Sequence, residues 1–590
     1  MRSSQAAIDA PLVGEEAPSS RPGVLAGLAR LGGLGRLGMP ELLARLRAIL
    51  ARLSDTQLSL TISVALFALS AWPLALTDVP PYQDLPNHLA ALTVMTHPAQ
   101  YPEFVFNGFL KTNAALFTWL YFVSKVAGVA LAAKLFALLV IALNAVVFPL
   151  FVLRVTGSRQ KLVVASLLIW PMTHNWFVSM GMLDFACSVP LALATLLCLL
   201  QRSRAPTARN ALLSLGLALL TWYAHVFGVL VVHLIVGLHV VTRASMKERV
   251  AQAKVLLLPL LPVTILATAS LYQHVTERGG EMTGYMALDR LLPPWELAYN
   301  LWAEWMWGFT KLSITSFVPS VAIALLFFVR RKEEVPFFSR AAFVVLLGFF
   351  VFTPYIATNW FHVNSRFIPF LWAAAILRVP PRLPRWAVGL MAVSAVLYSA
   401  GMGVDYVRLD RDRAKFTAGI QAVPQGAKLL PLLFKRQITS ENTRSLLHAW
   451  GFYVTEKETS APLLFAHSSS FPVMYRDPPA ARFNHLVLES FAPTMSSPHW
   501  MCDILRSAGI VVDDCDAEWR SRWSEFWKDA MPRYDHLLLW DAPAEVQAIV
   551  PPAYRVIFRE DRLLIYERVD AKVASRLQAL TGEAGQLAQE

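Results

Sequence analysis

From residue 57 to residue 404 the chain alternates between long apolar runs and short polar connections. The apolar runs fall at 57–76, 133–153, 161–180, 183–201, 210–226, 227–242, 255–273, 313–330, 340–360, 362–378 and 385–404. A helix rises 1.5 Å per residue, so about 20 such residues cross the roughly 30 Å hydrocarbon layer of a bilayer. Backbone polar groups cannot stay unpaired in lipid, so the runs predict helices, about eleven in all. The stretch 113–131 (NAALFTWLYFVSKVAGVAL) reads either as a further span or as a helix lying at the membrane interface.

After 404 the pattern changes. Short β-like runs appear at Lys428–Phe434, Ala461–Ala466, His485–Leu488, Gly509–Val512, His536–Trp540, Tyr554–Phe558 and Leu563–Tyr566, with charged, helix-compatible segments between them. This predicts a C-terminal α/β or α+β domain over 405–570 and a polar tail over 571–590. Residues 1–56 show no compact apolar region followed by a small-residue cleavage site. The first 22 residues have a disordered composition. Leu42–Leu53 (LLARLRAILARL) reads as an amphipathic helix on the membrane surface.

The charge distribution orients these spans. The connections richest in Lys and Arg are 154–161, 202–209, 243–254, 330–340 and 378–385. Basic loops stay cytoplasmic. Eleven spans with a cytoplasmic N-terminus put all five on that side, whereas a further full span at 113–131 breaks the agreement. That stretch is therefore expected to be interfacial or re-entrant. The same topology places 77–132, 274–312 and everything after about 405 outside the cytoplasm, in the cytoplasmic (inner) membrane of a cell.

Composition agrees with a membrane protein and narrows the alternatives. Hydrophobic residues make up 55% of the chain and charged residues 16%, against about 25% charged in soluble domains. The net charge of +12 resides largely in the short loops, so it reads as an orientation signal and not as a nucleic-acid footprint. Cys187 and Cys198 lie inside an apolar run. Cys502 and Cys515 lie in the terminal domain, where an extracytoplasmic setting permits a disulfide. No CxxC or Cys/His cluster suggests zinc.

Under this topology the unusual polar residues collect on the outer side. Asp84 and His88 follow the first span in PPYQDLPNHLA, and share a helix face one turn apart. Asp84 before Leu-Pro is also good N-cap grammar. His174 and Asn175 end one span and Asp184 opens the next. His225 sits in TWYAHVFG, and His362 and Arg366 in NWFHVNSRF. His225 has an ordinary reading as a hydrogen-bonded core histidine, and Asp184 as a helix partner. An arginine near a membrane joint needs an anion, either a carboxylate or a phosphate. The segment 274–312 carries Trp295 and Glu296 in a Trp/Glu cluster, which reads as an interfacial belt or as a carbohydrate-stacking surface. Polar residues near a bilayer usually mark a site, and a one-sided set suggests a cavity open to the outside.

Four of these pieces, YQDLPNHLA, MGMLDFACSVPLAL, YAHVFG and NSRFIPFLW, together with the order of basic lead, span, long outer loop, helix bundle and terminal domain, resemble the GT-C glycosyltransferases. These are polytopic enzymes that use polyprenyl-phosphate-linked sugars. The resemblance implies an all-α transmembrane bundle over 57–404, a polyprenyl-phosphate sugar donor, and a glycan, lipid or protein acceptor. It implies Asp84 as general base, supported by His88 and Asp184, and Arg366 on the donor phosphate. His174, Asn175, His225 and His362 would serve as further substrate contacts. The family often shows two adjacent acids in the first loop, whereas here Asp84 stands alone with Asp78 six residues earlier. That departure puts dependence on a divalent metal in doubt, and no other cofactor is implied. Two other classes compete: a lipid-linked glycan transporter or flippase, and a non-catalytic assembly protein. A transporter should show internal repeats and polar residues reaching both faces, and neither is evident.

Overall fold

The structure, a computed structural model, describes residues 48, 52–276, 291–327, 335–357, 360–466, 469–477, 502, 511–529 and 533–569. Most of the amphipathic stretch 42–53, part of the basic loop 330–340, the segment GGEMTGY, the strand run 485–488, part of 509–512 and the tail after 570 lie outside the described residues. Residues 59–590 form one compact unit, so the region after the last span packs as part of the same body as the helices.

The first half contains α1 (Asp55–Ala71), α2 (Leu85–Thr96), β1 (Phe104–Phe106), α3 (Ala115–Ala127), α4 (Val129–Thr156), α5 (Arg159–Thr173), α6 (Trp176–Met180), α7 (Leu183–Arg204), α8 (Ala208–Ala224) and α9 (Val226–Val241). Then come α10 (Met246–Leu256), α11 (Leu261–Thr276), α12 (Pro294–Met306), α13 (Lys311–Leu326), α14 (Arg340–Phe352), the two-residue strands β2 (Ile356–Ala357) and β3 (Trp360–Phe361), α15 (Ile368–Ile376) and α16 (Arg385–Thr417). The terminal region adds β4 (Leu429–Leu433), α17 (Gly451–Lys457), β5 (Val473–Tyr475), α18 (Cys515–Asp529), β6 (His536–Trp540), α19 (Ala544–Ala548), β7 (Tyr554–Glu560) and β8 (Leu563–Arg568).

Each of the eleven expected runs contains a helix among the described residues, but the helices are not equally long. Six stretches among the described residues are long and apolar enough to cross a membrane: Asp55–Leu76, Val129–Thr156, Arg159–Met180, Leu183–Arg204, Met246–Gln273 and Arg385–Ala422. A seventh is added if α12 and α13, bent by 88°, count as one broken span. The runs at 210–226, 227–242, 313–330, 340–360 and 362–378 become helices of 17, 16, 16, 13 and 9 residues. At 1.5 Å per residue these reach about 14–26 Å, less than the hydrocarbon layer. The shortening occurs at polar residues. His225 is extended (φ −164°, ψ 128°) and separates α8 from α9. His362 adopts a left-handed backbone (φ 58°) ahead of α15. Helix α3, with 13 residues, spans about 20 Å and is likewise too short to cross.

The connections with most Arg and Lys lie at one end of the bundle. Arg382 Nε donates to Gln160 Oε1 at 2.9 Å, and Arg202 Nε to the Val255 carbonyl at 2.7 Å. Four of the helices that start at this end have a hydroxyl N-cap: Ser158, Thr207, Ser245 and Ser339 accept from the backbone N–H three residues on, whereas α16 starts after Pro384 without one. Such caps satisfy amides that have no partner within the helix.

The other end carries the first loop, the helix joints and the terminal region. The terminal sheet has the order β4-β6-β8-β7, with β4 and β6 parallel and the rest antiparallel. Four of the expected strand runs match it. Ala461–Ala466 does not form a strand, because its backbone is engaged elsewhere: Asn87 donates to the Leu463 carbonyl at 3.0 Å and accepts from Phe465 N–H at 3.1 Å. A further antiparallel pair joins β1 of the first loop to β5. Cys502 and Cys515 form a disulfide.

Candidate active site

Helix α6 is a short, buried segment between the two most enclosed spans, and it organises the site. Asn175 caps its start, accepting from Val178 N–H and donating to the Met172 carbonyl. Gly181 (φ 88°) ends it in the left-handed region, the conformation glycine adopts most cheaply. The carbonyls of Ser179 and Met180 accept from the backbone N–H groups of Gln83 and Asp84, at 3.2 and 2.9 Å. The first loop is thereby fixed on the end of α6. A Cβ on Gly181 would lie 2.9 Å from the Asp84 nitrogen, so this close approach requires glycine.

Asp84 sits at the N-cap of α2, yet its side chain makes no capping bond. Instead Oδ1 accepts from Gln83 Nε2 at 3.1 Å, and His448 Nε2 lies 3.4 Å from the same oxygen. Among the described residues Oδ2 has no hydrogen-bond partner. The carboxylate keeps some exposure, 13%. His88, one turn along α2, packs edge-on against Phe117 and Phe465 at 5.1 and 6.2 Å. Burial lowers its pKa to about 4, opposed by the Asp84 charge and reinforced by His448.

A second polar group lies at the start of α6. Trp176 packs its ring 4.8 Å from that of His362. His362 Nδ1 is 2.8 Å from Glu304 Oε1, which also accepts from Tyr355 O–H at 2.9 Å, and Ser365 O–H donates to Glu304 Oε2. The buried Glu304 is therefore held by three donors. Its backbone (φ −87°, ψ 21°) breaks the helical geometry of α12 and marks a kink there. Four residues beyond His362, the Arg366 guanidinium is buried between the rings of Phe185 and Trp360, 5.5 Å from each centroid. Nη1 lies 2.8 Å from His225 Nε2, Nη2 is 3.4 Å from the Phe361 carbonyl, and Nε has no partner among the described residues. Among the described residues no carboxylate pairs with this cation. The five residues of α6 separate the two groups by about 7 Å of helix.

The remaining expected residues divide between framework and surface. Asp184 accepts from Leu116 N–H at 2.8 Å and so holds the start of α3. His174 is buried, with Nε2 2.7 Å from the Tyr406 hydroxyl, which in turn donates to Tyr82 at 2.9 Å, two residues before Asp84. Trp295 is 73% exposed on the first turn of α12, and Glu296 is partly exposed beside it; neither has a described contact with the two groups. Glu304, Tyr355, Gln83 and His448 were not among the expected site residues. Glu304 belonged to the Trp/Glu cluster, but nothing in its spacing set it apart. Among the described residues no three His, Cys, Asp or Glu side chains converge to hold a metal ion.

No protein-family model and no curated protein sequence matches the chain. Among solved structures, ArnT from Cupriavidus metallidurans in the apo state is similar at 11% identity and a TM-score of 0.47, covering 86% of this chain and 97% of its own. The same protein bound to undecaprenyl phosphate gives 12% identity and a TM-score of 0.45, covering 87% and 98%. At that level the likeness says nothing about the chemistry of this chain.

Proposed function

We propose that the protein is a membrane glycosyltransferase of the GT-C type, moving a sugar from a polyprenyl-phosphate donor to an acceptor hydroxyl outside the cytoplasm. One observation carries the reading. A carboxylate with one oxygen tethered and one unengaged lies at the end of α6, and a buried guanidinium that no carboxylate among the described residues neutralises lies four residues after His362, whose ring packs on the first residue of the same helix. A buried cation without an anion is costly, and a phosphate would compensate it through the planar donor fork.

In the proposed reaction the acceptor oxygen attacks the anomeric carbon and its proton passes to Asp84 Oδ2. The bond from that carbon to the phosphate oxygen breaks, and its electron pair leaves with the polyprenyl phosphate. Direct displacement inverts the anomeric centre. The departing phosphate gains negative charge as the bond breaks, so Arg366 binds the transition state more strongly than the ground state. His88 and Asp184 support the base: His88 packs beside it, and Asp184 fixes α3 against α7. His174, Asn175, His225 and His362 shape the surrounding wall. Trp295 and Glu296, on the exposed turn, are placed for acceptor contact at most. The basic loops at the opposite end of the bundle favour a cytoplasmic position for that end and an extracytoplasmic site. Eleven crossings remain compatible with this reading if the shorter helices lie in a thinned or protein-lined layer.

The test is transfer of label from 14C-labelled polyprenyl-phosphate hexoses by the purified protein in nanodiscs supplied with a membrane lipid extract. Asp84→Asn should reduce transfer by about 10²- to 10⁴-fold, the usual contribution of a general base, without lowering thermal stability. Wild-type activity in Asp84→Asn would remove the base and the reading with it.

A further inference from the structure

The region after the last span is laced across both polar groups. The backbone N–H groups of Glu441 and Asn442 donate to the Phe309 carbonyl, and Asn442 Nδ2 donates to the carbonyls of Ala303 and Trp307, at 2.8 and 2.6 Å. These contacts fix the segment beside Glu304. The next residues turn to the first loop. Arg444 N–H donates to Gln83 Oε1 at 2.7 Å, which orients the amide whose Nε2 holds Asp84. His448, 2% exposed, then brings Nε2 to Asp84 Oδ1. Gly451 follows at the start of α17, where a Cβ would lie 2.2 Å from the Pro86 carbonyl oxygen. Only glycine allows that approach. Asn87 closes the seam through its two bonds to Leu463 and Phe465.

We infer that the terminal region is a built-in wall of the active site and that His448 is the positioning residue of Asp84. This rests on the reading of Asp84 as the base. The geometry gives His448 a definite task. Gln83 Nε2 donates to Oδ1 at 3.1 Å, and the His448 ring sets its Nε2 3.4 Å from the same oxygen. Both contacts engage Oδ1, which leaves Oδ2 as the oxygen available to take the proton. A carboxylate free to rotate would present either oxygen, and a misplacement of about 1 Å costs up to about 100-fold in rate. His448 does not touch the acceptor; it acts through Asp84. The arrangement also means that the terminal region is required for turnover even if it binds no substrate.

The test uses full-length protein in nanodiscs with His448→Gln, His448→Ala and Asp84→Asn, and the same labelled polyprenyl-phosphate hexoses. Gln keeps a polar N–H group at this position; Ala does not. His448→Ala should lower kcat by about 10- to 100-fold with the donor KM within about 2-fold of wild type, and His448→Gln should lower it less. A second measurement needs no activity. Exchange of the His88 C2 proton, followed by mass spectrometry, reports the titration of that ring. Asp84 and His448 are the titratable groups acting on it. The His88 midpoint should rise from about 4 in His448→Gln and fall in Asp84→Asn. Wild-type kcat in His448→Ala would overturn the positioning role. A His88 midpoint indifferent to His448→Gln would overturn the placement of His448 within this cluster. If no labelled donor turns over in wild type, the transferase reading falls, and the exchange measurement still decides whether His448 lies beside His88 at the end of α6.

Discussion

Nη1 of Arg366 lies 2.8 Å from Nε2 of His225, while Nδ1 of the same imidazole is 3.1 Å from the Phe227 N–H that donates to it. A neutral imidazole has one acceptor nitrogen and one N–H. If Nδ1 accepts from Phe227, then Nε2 carries hydrogen and faces another donor. An oxygen of an anion placed between them would accept from both and resolve the conflict. Nε of Arg366, buried without a partner, points to the same need.

That relationship predicts a measurable anion preference. A polyprenyl monophosphate titrated onto the protein and followed by native mass spectrometry should bind. Arg366→Ala should abolish the binding and Arg366→Lys should fail to restore it, because a point charge lacks the planar fork. His225→Phe should weaken binding by about 10-fold, equivalent to one lost charge-assisted hydrogen bond at about 1.5 kcal/mol. Equal binding by wild type and Arg366→Ala would exclude this phosphate site.

Gly181 predicts a coupled loss of stability and rate. Its φ of 88° strains any other residue, and a Cβ there would press on the backbone nitrogen of Asp84. Gly181→Ala should destabilise the protein by roughly 1–3 kcal/mol. It should also lower kcat more than it changes donor KM, because the displacement falls on Asp84 and not on Arg366. A thermal melt beside steady-state kinetics reads both. A variant that loses stability but keeps full kcat would show that Asp84 tolerates the shift.

How much of this was legible beforehand follows from the range of each interaction. The apolar runs announced the helices because membrane burial acts on every residue of a run. Asp84 was legible through local grammar, Asp-Leu-Pro at a helix start, although its side chain makes no cap. Helix ends were less legible, because His225 and His362 break their helices to place rings, which hydropathy does not register. His448 carried no signal. It reaches Asp84 from a segment without a motif, through contacts that exist only once the terminal region has folded against the first loop. Glu304 lay in view within the Trp/Glu cluster, but the choice between it and Glu296 depends on which side of α12 faces inward.

Asp184 predicts a division between framework and chemistry. Its carboxylate accepts from Leu116 N–H, and its task in the site is to hold α3. Asn at this position keeps an oxygen that can accept the same bond, whereas Ala leaves a buried amide without a partner. Asp184→Asn should therefore retain most label transfer. Asp184→Ala should lose about 1–3 kcal/mol of stability by thermal melting. A hundredfold loss of kcat in Asp184→Asn with unchanged stability would instead assign this carboxylate to the chemistry.

Glu304 predicts the largest structural cost of the four. Removing its carboxylate strands three donors at once: Tyr355 O–H, Ser365 O–H and the His362 ring. Breaking such a buried, hydrogen-bonded group by deleting one partner costs about 3–5 kcal/mol, so Glu304→Ala should melt far below wild type. Glu304→Gln keeps the shape and one acceptor oxygen but places an amide donor against the other two groups. It should be intermediate in stability. Because His362 and Arg366 share one short connection after β3, Glu304→Gln should also weaken polyprenyl-monophosphate binding while leaving the His88 exchange midpoint in place. That separation holds because Glu304 lies at one end of α6 and His88 at the other. A His88 midpoint that moved with Glu304→Gln would mean that the two groups titrate as one, and that α6 does not insulate the base from the phosphate site.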